Sequence, residues 1–235
     1  MPALRGVPRA VTTPPGLRII AGSARGTRLA APPGDAVRPT GARAREALFS
    51  VLTSRGALGA APPPLVGAND AADGTGTGAG AGAPAPWVLD LFAGTGALGL
   101  EALSRGAARA WLVEQRPEVA ALARENARRA RLAERAHVVQ AAVAAFLRSP
   151  PDALRGPAPR VGLAFLDPPY DAAGVLSAAL ADLAGSGLLA PGATVVAERR
   201  HGTDPPAAPA GWETDDERRW GEAAVTFYNV LGVRA

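Results

Sequence analysis

The chain has 235 residues, of which 48% are hydrophobic, and its formal net charge is +4. This length suits one α/β domain with a small appendage, and the apolar content excludes a globally disordered protein. Cysteine is absent, which excludes disulfides, zinc–thiolate sites and a cysteine nucleophile. No apolar run approaches the roughly 20 residues of a membrane span. Residues 1–15 lack the apolar stretch of a signal peptide, so we expect a cytoplasmic protein.

Positive charge is concentrated near the N-terminus. Residues 1–55 contain nine arginines against Asp35 and Glu46, a formal net charge of +7, so the rest of the chain carries −3. A basic module on a mildly acidic body favours a polyanionic partner. Arginines that only solvate a surface would give the same pattern, and charge alone does not separate the two interpretations.

The first 85 residues divide into three segments by composition. Residues 1–16 are predicted to be a disordered tail. Residues 17–56 are predicted to form a basic hairpin and a helix, with Thr40 as a candidate N-cap and Gly56 as the stop. Residues 57–85 consist largely of Gly, Ala and Pro. They are predicted to be a flexible connector, because they cannot bury enough side chain to offset their ordering entropy.

Strand and helix patterns alternate over residues 86–235, which are predicted to be the main domain. Short apolar runs predict strands at 87–92, 110–114, 137–140, 161–167 and 193–198. Helical patterns fall between them at 97–104, 117–131 and 175–183, and a closing strand pair is predicted at 212–220 and 223–231. This alternation predicts an α/β fold with a doubly wound, mostly parallel seven-stranded sheet. Ligands of such sheets bind beyond the carboxyl ends of the strands.

A glycine-rich turn, DLFAGTG, follows the first predicted strand and opens a helix. Its candidate cofactor-binding residues are Asp90, Phe92, Ala93, Gly94 and Gly96. Glycine lets the backbone approach a ligand closely. The glycines also fit the G-x-G-x-x-G pattern of nicotinamide enzymes, which is a weak signal. The Asp90 carboxylate disfavours a pyrophosphate and suits S-adenosylmethionine (SAM), whose sulfonium and ammonium groups are cationic.

Glu114 ends the second predicted strand. A carboxylate in this position can accept hydrogen bonds from both ribose hydroxyls of an adenosine cofactor. Glu114 therefore supports an adenosine-containing ligand, although it does not distinguish SAM from a nicotinamide dinucleotide.

The motif DPPY follows the fourth predicted strand and consists of Asp167, Pro168, Pro169 and Tyr170. The prolines fix the backbone and remove two N–H donors. The Asp167 carboxylate and the Pro168 carbonyl can then each accept one hydrogen of a base amino group, and Tyr170 can stack on the base. Delocalisation makes such an amine a poor nucleophile, so alignment and polarisation are what its methylation requires. An ordinary proline turn after a strand is the alternative interpretation of this motif. A hydride-transfer enzyme has no evident use for such an arrangement, so the motif favours a methyltransferase over a nicotinamide enzyme.

DLFAGTG together with DPPY resembles the class I amino-methyltransferases. Four further segments resemble the RsmD family, bacterial methyltransferases of guanine N2 in 16S ribosomal RNA: RIIAGSARGTRLAAP (18–32), RPTGARAREALFSVL (38–52), GALGLEALSRGA (96–107) and RRWGEAAVTFY (218–228). The resemblance implies SAM as cofactor, the small ribosomal subunit or its assembly intermediate as partner, no metal and a monomeric protein. DNA amino-methyltransferases share DPPY and remain an alternative, as do a nicotinamide oxidoreductase and a non-enzymatic RNA-binding assembly factor.

The sequence departs from the family pattern at two positions. An Asp that can bind the adenine amino group is often present after the third strand, and Ala142 stands there, so backbone groups of Ala142 and Val143 are implied instead. An acid often precedes the first arginine of the N-terminal helix, and here that residue is Ala42. The substrate-binding candidates are Arg38, Thr40, Arg43 and Arg45. These residues either contact SAM or RNA phosphate, or they only solvate one face of the helix.

Overall fold

A computed structural model of the protein describes residues 17–32, 40–58, 85–155, 161–169 and 174–232. The predicted tail (1–16) and residues 59–84 of the predicted connector lie outside these ranges. None of the helices in the described part combines the length and apolar character needed to span a membrane.

Seven strands form one sheet in the order β3-β2-β1-β4-β5-β7-β6. The strands are β1 (Trp87–Asp90), β2 (Arg109–Glu114), β3 (Ala136–Gln140), β4 (Val161–Leu166), β5 (Leu189–Arg200), β6 (Trp212–Trp220) and β7 (Ala223–Val230). The first five run parallel, and β7 pairs antiparallel with both β5 and β6. This confirms the predicted class I methyltransferase fold, a doubly wound, mostly parallel seven-stranded sheet.

In the described part of the chain, five α-helices flank the sheet: α1 (Thr40–Ser54), α2 (Ala97–Ser104), α3 (Pro117–Arg129), α4 (Val143–Arg148) and α5 (Val175–Gly185). One apolar core under α1 and α2 includes Phe49, Leu100 and Phe165. A second core on the opposite face of the sheet includes Phe146 of α4 and Leu180 of α5. Helix α4 has no counterpart in the predicted elements, because it is short, alanine-rich and without a side-chain cap.

The structure changes the bounds of some predicted segments. β5 begins at Leu189 and ends at Arg200, beyond the predicted 193–198 at both ends. At its carboxyl end, antiparallel pairing with β7 continues to Arg200 opposite Ala223, a tertiary contact that local pattern does not reveal. The predicted stop at Gly56 agrees with a φ of +69°, and Ala57 N–H closes the helix end by donating to Leu52. Leu58 is buried in the core, so the predicted connector does not begin at residue 57.

Residues 17–32 pack on the main domain and share its first core through Leu17, Ile19 and Leu29. They form a turn closed by an antiparallel bridge between Arg18 and Arg28. At Gly22 the φ is +83°, and a Cβ would lie 1.8 Å from the backbone oxygen of Ser104. Only glycine therefore allows this turn to approach α2.

Buried polar side chains hold this segment in place. Glu101 accepts hydrogen bonds from the backbone N–H groups of Ile20 (2.7 Å) and Ala21 (3.1 Å). Asn126 of α3 accepts from Ala30 N–H at 2.7 Å and donates to the Ala30 carbonyl at 3.0 Å. Both side chains are fully buried. These contacts fix the segment against α2, which follows the glycine-rich turn, and against α3, whose Asn126 also donates to the Thr95 carbonyl in that turn at 2.9 Å.

Candidate functional site

A cavity of about 720 Å³ lies at the carboxyl ends of the parallel strands. Its wall includes residues from the β1–α2 turn, the ends of β2 and β4, the C-terminal half of β5, the β6–β7 turn and the first half of α1. This is the edge of the sheet at which ligands of doubly wound folds bind. The volume is in the usual range for a small-molecule site, about 300–1,000 Å³.

Several of the predicted cofactor-binding residues line this cavity, namely Phe92, Gly94, Glu114 and Val143. Ala93, Gly96 and Ala142 do not line it. Gly96 has a φ of +84° and is the N-cap of α2, so its glycine serves the geometry of the turn. Ala142 is the N-cap of α4 and its side chain makes no capping hydrogen bond.

Glu114 is held at the end of β2 by backbone N–H groups. Its Oε2 accepts from Gly94 N–H at 3.1 Å, and its Oε1 accepts from Arg116 N–H at 2.8 Å. The Arg116 guanidinium lies 3.7 Å from Oε1. Each carboxylate oxygen has further acceptor capacity. The carboxylate is therefore oriented, and its remaining lone pairs are available to hydroxyl donors in the cavity.

Asp90 lies beneath the glycine-rich turn and does not line the cavity. Its side chain is buried, and its Oδ2 accepts from Gly99 N–H at 3.0 Å. A Cβ at Gly99 would lie 2.1 Å from Leu112 Cδ2, so a side chain there would force Leu112 or α2 to move. Burial raises the pKa of Asp90 to about 7, the Gly99 hydrogen bond lowers it, and the nearby Glu114 adds to the rise. The contact that the structure shows is therefore with the turn, and a direct contact with a cofactor stays a prediction.

Asp167 and Pro169 of the DPPY motif line the same cavity as Glu114. Asp167 is partly buried directly after β4, Pro168 is buried without lining the cavity, and Pro169 is exposed. Tyr170 lies outside the described residues. Asp167 at the end of β4 and Glu114 at the end of β2 therefore line the same cavity, because parallel strands end at the same edge of the sheet.

The four N-terminal candidates occupy different environments. Arg45 lines the cavity, is 7% exposed, and donates from Nη2 to the Arg18 carbonyl at 2.7 Å. Its buried Nε has no hydrogen-bond partner among the described residues. Burial lowers the pKa of Arg45, and the positive Arg105 adds to this while Glu101 opposes it. Arg43 is exposed on α1 and does not line the cavity. Arg38 and the Thr40 side chain lie outside the described residues.

The cavity residues that were not identified from the sequence include Glu198 of β5, Trp220 at the end of β6, and Glu222 in the β6–β7 turn. A signal for Glu198 was present, because it follows the apolar run of β5 as Asp167 follows that of β4. Trp220 and Glu222 reach the cavity only because β6 and β7 pair beside β5, which is a tertiary contact. Within the described residues, no group of three or more His, Asp or Glu side chains is placed to hold a metal ion.

Comparisons with known proteins agree with this geometry. The family model of conserved hypothetical protein 95 matches residues 17–229. Ribosomal RNA small subunit methyltransferase D of Escherichia coli (strain K12) is 33% identical over 212 residues, which are 90% of this chain and 89% of the relative. The solved structure of YhhF from E. coli superposes with a TM-score of 0.68 at 31% identity, covering 91% of this chain and 97% of that chain.

A hypothetical protein from Thermus thermophilus is 33% identical with a TM-score of 0.64, and the superposition covers 89% of this chain and 97% of that one. The matched region contains the N-terminal segment, the glycine-rich turn and the DPPY motif. The resemblance inferred from the motifs is thereby confirmed, and the chain belongs to the ribosomal RNA small subunit methyltransferase D family.

Proposed function

We propose that the protein transfers a methyl group from SAM to the exocyclic N2 of a guanine in 16S ribosomal RNA, in the cytoplasm and as a monomer. The observation that carries this proposal is the cavity shared by Glu114 and Asp167, which combines a site for an adenosine ligand with one for an amine. Ribosomal RNA small subunit methyltransferase D of E. coli, to which this chain is 33% identical, supports the RNA substrate.

The cofactor half of the cavity fits SAM. The oriented Glu114 carboxylate accepts the ribose hydroxyls, and Phe92 and Val143 provide apolar walls for the adenine ring. With Ala142 in place of an acid, adenine recognition depends on the backbone near Ala142 and Val143. When bound, SAM supplies an electrophilic methyl group on a sulfonium, so the transfer needs neither a metal nor a covalent enzyme intermediate.

The substrate half of the cavity holds the base. Asp167, on the cavity wall, accepts one amine hydrogen, and the carbonyl of the adjacent Pro168, a residue that does not itself line the cavity, is the proposed acceptor of the other. The two contacts turn the nitrogen lone pair out of the ring plane towards the methyl donor. Trp220, half-buried on the wall, offers an aromatic face on which an extruded base can stack, as Tyr170 of the DPPY motif also does in this proposal. Alignment of this kind, with water excluded, lowers the barrier of a direct in-line displacement.

Arg45 and Arg43 are proposed to act at different places. Arg45 is largely buried but lines the cavity, and its positive charge suits an anionic group of the cofactor or nucleotide. The exposed Arg43 suits an RNA phosphate outside it. Arg43→Ala should reduce the salt dependence of RNA affinity by about one counterion, whereas Arg45→Ala should weaken binding inside the cavity at every salt concentration. Filter binding across a salt series checks both, and identical slopes for the two variants would contradict the division.

The proposed reaction is tested by nucleoside mass spectrometry after incubation with methyl-labelled SAM. The substrates are small-subunit particles and 16S RNA from cells lacking the protein, with duplex DNA in parallel. We expect labelled N2-methylguanine from the ribosomal substrates only. Labelled N6-methyladenine or N4-methylcytosine from DNA, without N2-methylguanine, would instead identify a DNA amino-methyltransferase. Calorimetric titration with SAM and with NAD separates the methyltransferase from a nicotinamide enzyme.

A further inference from the structure

Beside Asp167, the cavity wall carries a second carboxylate. Leu166 of β4 pairs with Ala197 of the parallel β5, so the next residues along the two strands, Asp167 and Glu198, are neighbours. Adjacent strands lie about 4.8 Å apart. Both side chains line the same cavity, and both are partly buried.

The direction of Glu198 follows from the alternation of the strand. Val196, two residues earlier in β5, is buried in the core under α1, together with Phe165 two residues before Asp167. Side chains two residues apart point to the same face of a sheet. Val225, which pairs with Glu198 in β7, belongs to that core and also lines the cavity. Glu198 and Asp167 therefore approach one ligand from the same side.

We propose that Glu198 selects guanine by accepting the hydrogen of its ring nitrogen N1, while Asp167 holds the neighbouring amine. This inference rests on the proposed function. In guanine, N1–H and the N2 amine are adjacent donors on one edge, so two neighbouring carboxylates match that edge. A hydrogen bond to an ionised acceptor is roughly twice as strong as one between neutral groups.

The same carboxylate rejects the other amino-bearing bases. Adenine and cytosine each carry an unprotonated ring nitrogen beside the amine, and its lone pair would face the negative charge of Glu198. A site built around a hydrogen bond rejects an analogue that lacks the matching donor by about 10⁴-fold in favourable cases. Glu198 thus gives the cavity a preference for guanine over adenine and cytosine, which the DPPY motif alone does not supply.

The test uses 2-aminopurine, which keeps the amine of guanine but has an acceptor in place of N1–H. The modified guanine is first mapped by nuclease digestion and mass spectrometry. A 16S RNA carrying 2-aminopurine at that position is then made by splinted ligation and assembled into particles. We expect the wild-type protein to prefer guanine over 2-aminopurine by about 10²-fold or more in kcat/KM. Glu198→Gln should narrow this ratio at least about tenfold, because its amide can donate to the acceptor N1.

Glu222→Gln is the matched control, since it removes one negative charge from an exposed position on the same cavity wall. It should leave the ratio unchanged. If turnover of Glu198→Gln is too slow to measure, binding replaces it. The affinities of the guanine particle and the 2-aminopurine particle are then measured for the variant bound to S-adenosylhomocysteine, and their ratio should narrow in the same way relative to wild type.

An unchanged ratio in Glu198→Gln, or an equal change in Glu222→Gln, would overturn the assignment of Glu198. Neither result affects the proposed function, because the wild-type protein would still form N2-methylguanine. Failure of the wild-type protein to form N2-methylguanine in either ribosomal substrate would reject the proposed function itself. Melting temperature and SAM affinity of each variant verify that it is folded.

Discussion

Asp90 shows how burial sets the behaviour of one carboxylate. Its side chain is 1% exposed and accepts a hydrogen bond from Gly99 N–H, yet burial raises its pKa from 3.8 to about 7. The hydrogen bond stabilises the ionised form but does not replace the lost hydration, and the negative charge of Glu114 opposes ionisation further. At neutral pH, the Asp90 carboxyl that binds Gly99 N–H is therefore close to its pKa.

Asp90 should make folding stability fall as pH rises between about 4 and 7. Over this window Asp90 keeps its proton in the folded protein but has lost it in the unfolded chain. The contribution of Asp90 to the free energy of unfolding is therefore fully present below pH 3.8 and is lost as pH rises through about 7. Asp90→Asn should remove this pH dependence. Between pH 4 and pH 8, the free energy of unfolding of the variant should rise relative to that of the wild type by up to on the order of 4 kcal/mol. Urea unfolding at several pH values measures the difference, and a difference independent of pH would contradict the raised pKa.

Asp167 is the residue at which we place the amine. Asp167→Ala should lower the methyl-transfer rate by on the order of 10²-fold or more, because one aligned acceptor is lost in the transition state. Asp167→Asn keeps an acceptor oxygen and should retain more activity. SAM affinity should change little in both variants, since Asp167 is assigned to the base. Single-turnover rates and calorimetry check the two effects separately, and near wild-type turnover of the Ala variant would reject the assignment.

At the scale of elements, the N-terminal segment is attached to α2 and α3 by buried side chains. Glu101 combines two backbone hydrogen bonds with an ion pair to Arg105, whose Nε lies 2.7 Å from Oε1. Ser104 accepts from Ala24 N–H at 2.9 Å, one helical turn further along. The same segment contacts α1 through the Arg18 carbonyl, which accepts from Arg45 Nη2 at 2.7 Å on the cavity wall. The position of Arg45 on the cavity wall therefore depends on the packing of a segment outside its own helix.

Replacing Glu101 should destabilise the protein strongly. Glu101→Ala leaves backbone donors and the Arg105 charge without their acceptor, which costs about 3–5 kcal/mol for a buried pair. The melting temperature should fall by roughly 10 °C, given about 2–4 °C per kcal/mol at this chain length. Glu118→Ala, at an exposed position in the first turn of α3, is the control and should cost less than about 1 kcal/mol. Equal melting temperatures for the two variants would show that the Glu101 contacts contribute little.

At the scale of the whole molecule, residues 59–84 separate two parts that share one core. Leu52 and Leu58 pack in the same cluster as Val88 and Phe227, so the contacts that define the core lie on both sides of this stretch. The Gly, Ala and Pro composition of the stretch gives it few side chains for a core of its own. Its contribution is therefore expected to be connection alone.

Replacing residues 59–84 with a Gly/Ser linker of about 12 residues should leave folding and methylation nearly intact. The closure entropy of a loop changes only by about 0.6 kcal/mol for each doubling of its length, so shortening has a small effect. Leu58 is retained because it is buried. Thermal melting and methylation of small-subunit particles test the variant. A large fall in either would assign a structural or RNA-binding role to this stretch.

Local pattern was sufficient for most of the fold and for part of the site. The alternating apolar runs and glycine stops determined the order of strands and helices, because burial on both faces of a parallel sheet requires such runs. DLFAGTG, Glu114 and DPPY each lie at the carboxyl end of a strand, so the carboxyl-end rule predicted that their residues would be neighbours. The structure brings Gly94, Glu114 and Asp167 to one cavity.

Only the tertiary structure decided which side chains face that cavity and in what state. Sequence spacing did not separate the buried Arg45 from the exposed Arg43 on the same helix, since the difference arises from packing against residues 17–32. Nor did it show Asp90 beneath the turn, where lost hydration changes its pKa. Glu198 and Trp220 reach the cavity through pairing of β5, β7 and β6, which are far apart in the chain. Burial and charge at a site depend on such long-range contacts, and a local sequence pattern does not contain them.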